Sequence, residues 1–193
     1  NLPSNVILYV DPQTPWGYVQ NWHVTVQRTL FKDTLLDVAY VGNRADHLPV
    51  LGDFNQARPI TAAELAAGQT TGGTLLARRP YQGFNNITGV VPGGFSNYHS
   101  LQLKFEHRAN WLTLLSSFTY SKAIDTVGQV LETTNGGSPN PQDIRNIVND
   151  KGASSFDQRY NSVTSFVFDV PYGKGRRWGR NMHSALDAAV GGW

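Results

Sequence analysis

The five histidines are the residues of this chain best suited to acid–base chemistry or metal binding, and their spacing supports neither. They are His23, His47, His99, His107 and His183. No two are separated by one or three residues, a spacing at which one strand or helix face brings a pair onto one zinc ion. Cysteine is absent, which excludes disulfides, thiolate metal sites and cysteine nucleophiles. We therefore expect no metal site.

The serines and acidic residues offer no catalytic arrangement either. No serine stands in a Gly-x-Ser-x-Gly setting, and no ordered Ser/His/Asp trio is visible. Asp143, Asp150 and Asp157 lack the spacing of a calcium loop, which favours capping and turn roles. Residues 173–177, GKGRR, lack the first glycine and the four-residue spacing of a phosphate loop, and we interpret them as a basic turn. We expect no enzymatic activity and no cofactor.

Composition limits the remaining classes. Charged residues make up 16% of the 193 residues, below the roughly 25% typical of soluble domains. The net charge of +2 does not by itself suggest a nucleic-acid partner. No apolar run approaches the roughly 20 residues of a membrane helix, and the polar start at Asn1 is no signal peptide. We expect both ends to be cuts through a longer protein.

The period of the apolar residues predicts strands. Within residues 19–28 the even positions 22, 24 and 26 are apolar and the odd positions 21, 23, 25 and 27 are polar, which is the period of a strand with two different faces. A short turn at residues 31–33 leads to a second such strand at residues 36–41, and the pair predicts an antiparallel hairpin. A second hairpin follows at residues 98–106 and 112–120, and a fifth strand at residues 161–170.

Two long polar stretches, residues 43–83 and 122–158, separate these elements. In the first, Thr61 and Glu64 have the form of a capping box ahead of a short helix that Gly68 can end. In the second, Pro141 lies just inside a possible helix start, and the helix would run to about residue 149. A further irregular or strand piece is expected at residues 84–91.

Tiny turns that alternate with long loops are typical of outer-membrane barrels, whose strands need about 9–11 residues to cross the bilayer. We therefore predict an all-β fold, an antiparallel up-and-down meander that forms part of an outer-membrane β-barrel, with short helices in its long loops. Isolated, it would be an open, curved sheet with two free edges. The turns near Phe31, Arg108 and Pro171 would be periplasmic, and the long loops extracellular.

In such a barrel, one face of each strand contacts lipid and the other faces the lumen. The apolar face would meet lipid through Trp22, Val24, Val26, Leu36, Val38, Tyr40, Leu101, Leu103, Phe105, Leu112, Leu114, Phe118, Phe166 and Phe168. The polar face would line the lumen through Asn21, His23, Thr25, Gln27, Asp37, Ser100, Gln102, Lys104, Glu106, Thr113, Ser117 and Thr119. Every charge in the strand cores falls on the polar face, and aromatic residues gather toward the strand ends, as in the girdles of such barrels. Trp111 has the wrong parity for lipid, and we assign it to a turn.

A set of motifs, in order along almost the whole chain, resembles TonB-dependent receptors of the Oar-like type, which often carry a carboxypeptidase-regulatory-like domain. Residues 18–28, YVQNWHVTVQR, resemble the family's YVQQWNLSVQR strand, and residues 36–43, LDVAYVGN, resemble LEVAYVGS. Residues 54–59, FNQARP, are similar to the end of NINQARP. Residues 79–81, RPY, with Phe84 and Ile87, are similar to RPYPNFGNI.

The second half of the chain continues the resemblance. Residues 96–102, SNYHSLQ, resemble SNYNALQ, and residues 118–125, FTYSKAID, resemble YTYSKSID. Residues 156–160, FDQRY, resemble FDVRH, with Tyr160 in place of the usual histidine. Residues 170–175, VPYGKG, resemble LPFGKG.

The resemblance implies a place in the outer membrane of a Gram-negative bacterium, in contact with its lipid. It also implies energy from the TonB system, delivered through a plug domain, for the transport of a substrate. Residues 1–193 show no plug and no TonB box, and too few strands for the family's barrel of about 22. We expect them to be a partial barrel domain. The alternatives are a soluble all-β surface or carbohydrate-binding protein, whose apolar faces pack on each other, and an enzyme.

Overall fold

A computed structural model describes residues 7–10, 12–70, 72–126 and 141–190. Seven strands form one sheet: β1 (Ile7–Val10), β2 (Tyr18–Phe31), β3 (Thr34–Asp53), β4 (Ile87–Ala109), β5 (Leu112–Asp125), β6 (Gly152–Ala153) and β7 (Tyr160–Phe168). Three short helices accompany them: α1 (Ala62–Ala66), α2 (Gly72–Ala77) and α3 (Ser184–Val190). A single 3₁₀ turn covers Ile147–Asp150. The predicted all-β class is confirmed.

The sheet is an open antiparallel meander. Its strands follow the order β2-β3-β4-β5-β6, and β7 also pairs with β5, in antiparallel register. In the described part of the chain, β2 pairs with β3 alone, β7 pairs with β5 alone, and no pairing closes the sheet into a barrel. Two pairings were not predicted: β1 runs parallel to β4, and β6 pairs antiparallel with the end of β5.

Two tight turns join the hairpins. Lys32 and Asp33 connect β2 to β3, and Asp33 takes a left-handed φ of 61° that lets the chain reverse. Asn110 and Trp111 connect β4 to β5, which confirms the assignment of Trp111 to a turn. This second turn lies slightly later than predicted, because β4 continues to Ala109.

The two central strands are much longer than predicted. β3 has 20 residues and continues into the stretch predicted to be a loop, while β4 has 23 and includes most of the irregular or strand piece expected at residues 84–91. The long loop therefore begins at Phe54 rather than at Asn43. In the added part of β3 the alternation of apolar and polar residues is lost, and His47 interrupts the regular strand with a φ of 57°. Without that alternation, periodicity cannot detect a strand.

The two predicted loop helices have different outcomes. The capping box of α1 is confirmed, since Thr61 and Glu64 each bond the other's backbone, and Gly68 follows the helix at a φ of 69°. The helix predicted from Pro141 to about residue 149 is wrong: the chain there is irregular and makes only a 3₁₀ turn, Ile147–Asp150. Asn140, which directly precedes Pro141, lies outside the described residues.

The chain divides into two compact units, which we treat separately. The strand unit consists of Trp22–Gly42, His99–Lys122 and Gln158–Trp193. The loop unit consists of Asn1–Asn21, Asn43–Tyr98 and Ala123–Asp157. The buried apolar side chains among the described residues are Ala45, Val50 and Ile147, and all three belong to the loop unit. The described strand unit thus forms a sheet whose apolar side chains are not packed into a core. We call this sheet, built from the strands of residues 22–42, 99–122 and 160–168, the wall.

Candidate functional site: a two-faced wall and a loop cavity

The register of β5 against β7 places predicted lipid-facing residues on one face. Leu114 stands opposite Phe166, and Leu112 stands opposite Phe168. Directly opposed residues of an antiparallel pair share a face, so these four side chains do too. On the same face, the hydroxyls of the opposed Ser116 and Thr164 hydrogen-bond at 2.9 Å. Two polar groups on a mostly apolar face thereby satisfy each other.

Side-chain contacts extend this face to the other strands. Tyr40 and His99 are joined by a hydrogen bond of 2.6 Å from the tyrosine oxygen to Nδ1. That contact places even positions of β3 beside odd positions of β4, the parities of the predicted lipid-facing residues. The Trp22 indole occupies the space above Gly42, where any side chain would collide with it. Even positions of β2 therefore share the face as well.

Solvent reaches both faces of the outer strands. Every residue of β2 and β7 is exposed, including Val24 at 64% and Phe166 at 70%. No described element covers either of these strands. A continuous apolar face of this kind is rare on a soluble monomer and marks a surface that meets another apolar phase. The soluble alternative requires a second sheet that packs against this face. The described residues form only one sheet.

Aromatic residues border this face at both ends. At one end the His99 ring lies 6.1 Å from the Trp22 ring and 6.0 Å from the Tyr40 ring, measured between centroids. Tyr120 and Tyr160 continue the row at 5.4 Å. At the end with the tight turns, Trp111 meets Phe168 edge-on at 5.8 Å. Two such girdles are what a barrel places at the two membrane interfaces.

The separation of the two rows fits a bilayer. Trp22, the fifth residue of β2, and Phe31, its last residue beside the tight turn, are nine residues apart, which corresponds to about 30 Å along a strand. At a tilt of about 40°, this gives a height of about 23 Å, close to the roughly 25 Å apolar band of outer-membrane barrels.

The opposite face carries the charges. Glu106 accepts from Arg108 at 2.5 Å and pairs with Lys104 at 3.5 Å, so charges follow one another at alternate positions of β4. In β7, however, Val163 and Val167 lie on this face and are 58% and 67% exposed. The face is therefore less uniformly polar than the lumen set suggests. The assignment of individual residues to lipid and to lumen stays a prediction.

In the loop unit, one buried amide organises the first long loop. Asn55 is fully buried, and its Nδ2 donates to the carbonyls of Tyr81 at 3.0 Å, Phe84 at 2.9 Å and Asn85 at 2.8 Å. Its Oδ1 accepts from the Tyr81 amide at 2.8 Å. A single side chain thus contacts four backbone groups from residues 81–85, with its two amide hydrogens shared among the three carbonyls.

The neighbouring residue, Gln56, holds the second long loop. Its Nε2 donates to the Gln142 carbonyl at 2.6 Å, and its Oε1 accepts from the Ile144 amide at 2.8 Å. In addition, the Arg145 guanidinium donates to the backbone carbonyls of Gln56 at 3.3 Å and Ala57 at 3.2 Å. The two bonds of the Gln56 side chain occupy the Gln142 carbonyl and the Ile144 amide, and so compete with the predicted helix for its backbone groups.

Apolar contacts reinforce this docking. Ile144 lies so close to Gly52 that an added Cβ would come within 2.5 Å of its Cδ1. Ile147 stands in the same relation to Gly93, also at 2.5 Å. Both strands thus leave space, through the absence of a side chain, for an isoleucine of the second long loop.

An exposed ion pair stabilises the start of α1. Glu64 accepts from Arg58 at 2.5 Å and 2.9 Å, and from the backbone and hydroxyl of Thr61. These bonds, the one from Arg58 foremost, hold the pKa of Glu64 well below its ordinary value. A lowered folded pKa means that the stabilisation is fully present above the unfolded pKa. It is lost only as the pH falls through the folded value.

We therefore expect the carboxyl resonance of Glu64 to titrate well below the usual glutamate midpoint of about 4.3 in a ¹³C NMR experiment. Substitution of Arg58→Gln should move the midpoint back toward that value, because it removes the largest cause of the shift. Equal midpoints in the two proteins would contradict this account of the α1 cap.

The loop unit also contains a cavity of about 440 Å³, within the range of small-molecule sites. Its charged and aromatic lining comprises Tyr18, Arg44, Asp46, His47, Phe95 and Lys151. Arg44 holds Asp46 with two bonds of 2.7 Å and 3.0 Å, and this contact lowers the pKa of Asp46. The Lys151 ammonium lies 5.2 Å above the centre of the Phe95 ring. Such a site offers both charge and aromatic surface to a polar organic ligand.

Sequence reasoning missed the residues of this cavity and the roles of Asn55 and Gln56. The available signal for Asn55 and Gln56 was their place in the motif at residues 54–59, directly before an Ala-Arg-Pro. The spacing of the cavity residues along the sequence does not predict the cavity, because lining residues such as Tyr18 and Lys151 are more than a hundred positions apart. Among the described residues, no three His, Asp or Glu side chains gather as a metal site. None of the described helices is long and apolar enough to cross a membrane.

Comparison with known families identifies the family to which this sheet belongs. The family described as "Outer membrane beta barrel domain" matches residues 1–193, the entire chain. This chain belongs to the outer-membrane β-barrel family. Its place is therefore the outer membrane, and the soluble alternative is wrong. No curated protein and no solved structure matches the chain.

Proposed function

We propose that this barrel segment is part of a TonB-dependent receptor of the Oar-like type, in the outer membrane of a Gram-negative bacterium. Its polar face lines the transport lumen, and its long loops gather the substrate on the extracellular side. The TonB system supplies energy through a plug domain that lies outside residues 1–193. The segment has no enzymatic role in this proposal, and it binds no nucleic acid.

The observation that carries the proposal is that the residues of the resembling motifs are those that tie the loop unit together. Asn55 and Gln56, from the FNQARP motif, hold the loop at Tyr81 and the loop at Ile144. Asp157, from the FDQRY motif, accepts from the Ala123 amide of the FTYSKAID motif at 2.7 Å. These motifs occur in the same order as in that receptor type, and their residues hold the loop unit together. Both observations support common descent rather than chance similarity.

The cavity of the loop unit supports the receptor role. Long loops that are structured and clamped, rather than loose, can present charged and aromatic groups in a constant geometry. Lys151, Arg44 and Asp46 provide such groups around a volume suited to a small ligand.

The orientation can be tested by cysteine labelling of the full-length protein in intact cells, with any cysteines outside this segment replaced. A cysteine at position 148 (Val148→Cys) should react with a membrane-impermeant maleimide, because Val148 is 65% exposed in the loop unit. A cysteine at position 176 (Arg176→Cys), in the basic turn, should react only after the outer membrane has been permeabilised. The reverse pattern would contradict extracellular loops.

The dependence on TonB needs a separate experiment. Cells that express the full-length receptor should deplete at least one compound from a complex medium that receptor-less cells leave. Deletion of the tonB gene should abolish that depletion, because transport against a gradient needs the energy coupling. Depletion that persists in the tonB deletion would indicate a passive pore and overturn the receptor proposal.

A further inference from the structure

The segment after β7 is basic, exposed and built into a defined turn. Lys174, Arg176, Arg177 and Arg180 are all exposed, and residues 170–186 contain no acidic residue. No described carboxylate lies within ion-pair distance of these four cations. Four unpaired positive charges within seven residues are a strong local field for any anion that reaches them.

Backbone hydrogen bonds give this turn its shape. Trp178 donates to the Pro171 carbonyl at 3.1 Å and accepts from the Gly173 amide at 2.9 Å, which closes a small loop around the basic residues. The Lys174 amide donates to Asp187 of α3 at 2.6 Å. The turn is therefore held from both sides, and its cations are presented from a fixed base.

Aromatic side chains accompany the charges. Trp178 is 59% exposed and Tyr172 is 40% exposed. The Arg177 guanidinium lies 5.9 Å from the centre of the Trp178 ring. Tryptophan and tyrosine beside arginine and lysine are the combination that proteins place at the level of lipid headgroups.

The chain places this turn next to the membrane interface. The Asp169 amide donates to the Trp111 carbonyl at 2.9 Å, so the strand leaves the sheet at the aromatic row with the tight turns. Lys174 follows five residues later, which is at most about 17 Å of chain. This short tether keeps the basic residues near the end of β7, and in physiological salt a charge acts over about 8 Å.

We propose that this turn, residues 172–180, binds the phosphate headgroups of anionic phospholipids in the periplasmic leaflet of the outer membrane. The cations attract the phosphates, while Trp178 and Tyr172 lie at the boundary between headgroups and acyl chains. The contact anchors the base of the wall beside β7. This inference depends on membership of the barrel family and not on the TonB assignment.

The test is lipid retention by the full-length barrel, measured by native mass spectrometry in detergent with added phosphatidylglycerol or phosphatidylcholine. The natural protein should retain phosphatidylglycerol preferentially. The triple variant Lys174→Gln, Arg176→Gln, Arg177→Gln should reduce that retention about tenfold or more, since each basic residue near an anionic surface contributes severalfold. Retention of phosphatidylcholine should not change.

A matched control removes the same number of charges from the other tight-turn region: Arg28→Gln, Lys32→Gln, Arg108→Gln. We expect this control to keep its preference for phosphatidylglycerol. Equal loss in both variants would overturn the proposal in favour of a diffuse charge effect. Displacement of the lipid by millimolar inorganic phosphate would overturn it in favour of a free-anion site. Heat-modifiability on gels verifies that each variant still forms the barrel.

Discussion

Replacement of Asn55 by leucine is expected to release the first long loop from the strands that hold it. The substitution preserves approximate volume but removes the partner of the Tyr81 amide and of three carbonyls. Each backbone group left buried and unpaired costs about 1–3 kcal/mol, although relaxation toward water recovers part of this. We expect local destabilisation of about 3–5 kcal/mol.

Hydrogen exchange of the full-length protein measures this effect directly. Amides of residues 78–87 should exchange at least a hundredfold faster in the Asn55→Leu protein, while amides of β5 should be unchanged. Asn149→Leu is the matched control, because it makes the same substitution at an exposed position of the second loop. Unchanged protection of residues 78–87 would show that Asn55 does not organise the loop.

The second large effect concerns the two faces of the wall. Leu103→Arg should destabilise the barrel by about 2–4 kcal/mol, because it places a charge at mid-membrane on the predicted lipid face. Gln102→Arg, one residue earlier and at the same depth, should cost less than about 1 kcal/mol, because the opposite face already holds Lys104 and its partners.

Reversible unfolding of the full-length barrel in lipid vesicles provides the measurement. The comparison is internal, since both variants gain the same side chain in the same strand and differ only in the face. A larger loss for Gln102→Arg than for Leu103→Arg would exchange the assignments of lipid and lumen. Equal losses would indicate that neither face meets lipid at this depth.

Period-two alternation was sufficient to predict the wall. It identified five strands, both tight hairpins and the parity that the contacts of Trp22 and Tyr40 later showed to share a face. Alternation is visible there because a strand between two different solvents must sort its side chains by face. The α1 cap was predictable for a related reason, since Thr61 and Glu64 interact within one helical turn.

Alternation fails where that sorting ends. The added parts of β3 and β4 belong to the loop unit, where a buried Val50 and an exposed His47 occur in one strand without a lipid face. In these parts of β3 and β4, the order of apolar and polar residues depends on which side chains pack against the loops. The hidden length of these strands follows from contacts such as Ile144 on Gly52, which no local rule contains.

By itself, therefore, the sequence determined the strands of the wall, their two faces and the cap of α1, because these depend on neighbours within a few residues and on the solvent at each face. Only the tertiary structure decided the course of the long loops. Gln56 bonds residues 86 and 88 positions further along the chain, and these bonds replace the helix that Pro141 had suggested. Such long-range bonds outweigh a local helix signal, because short isolated helices are marginal in water.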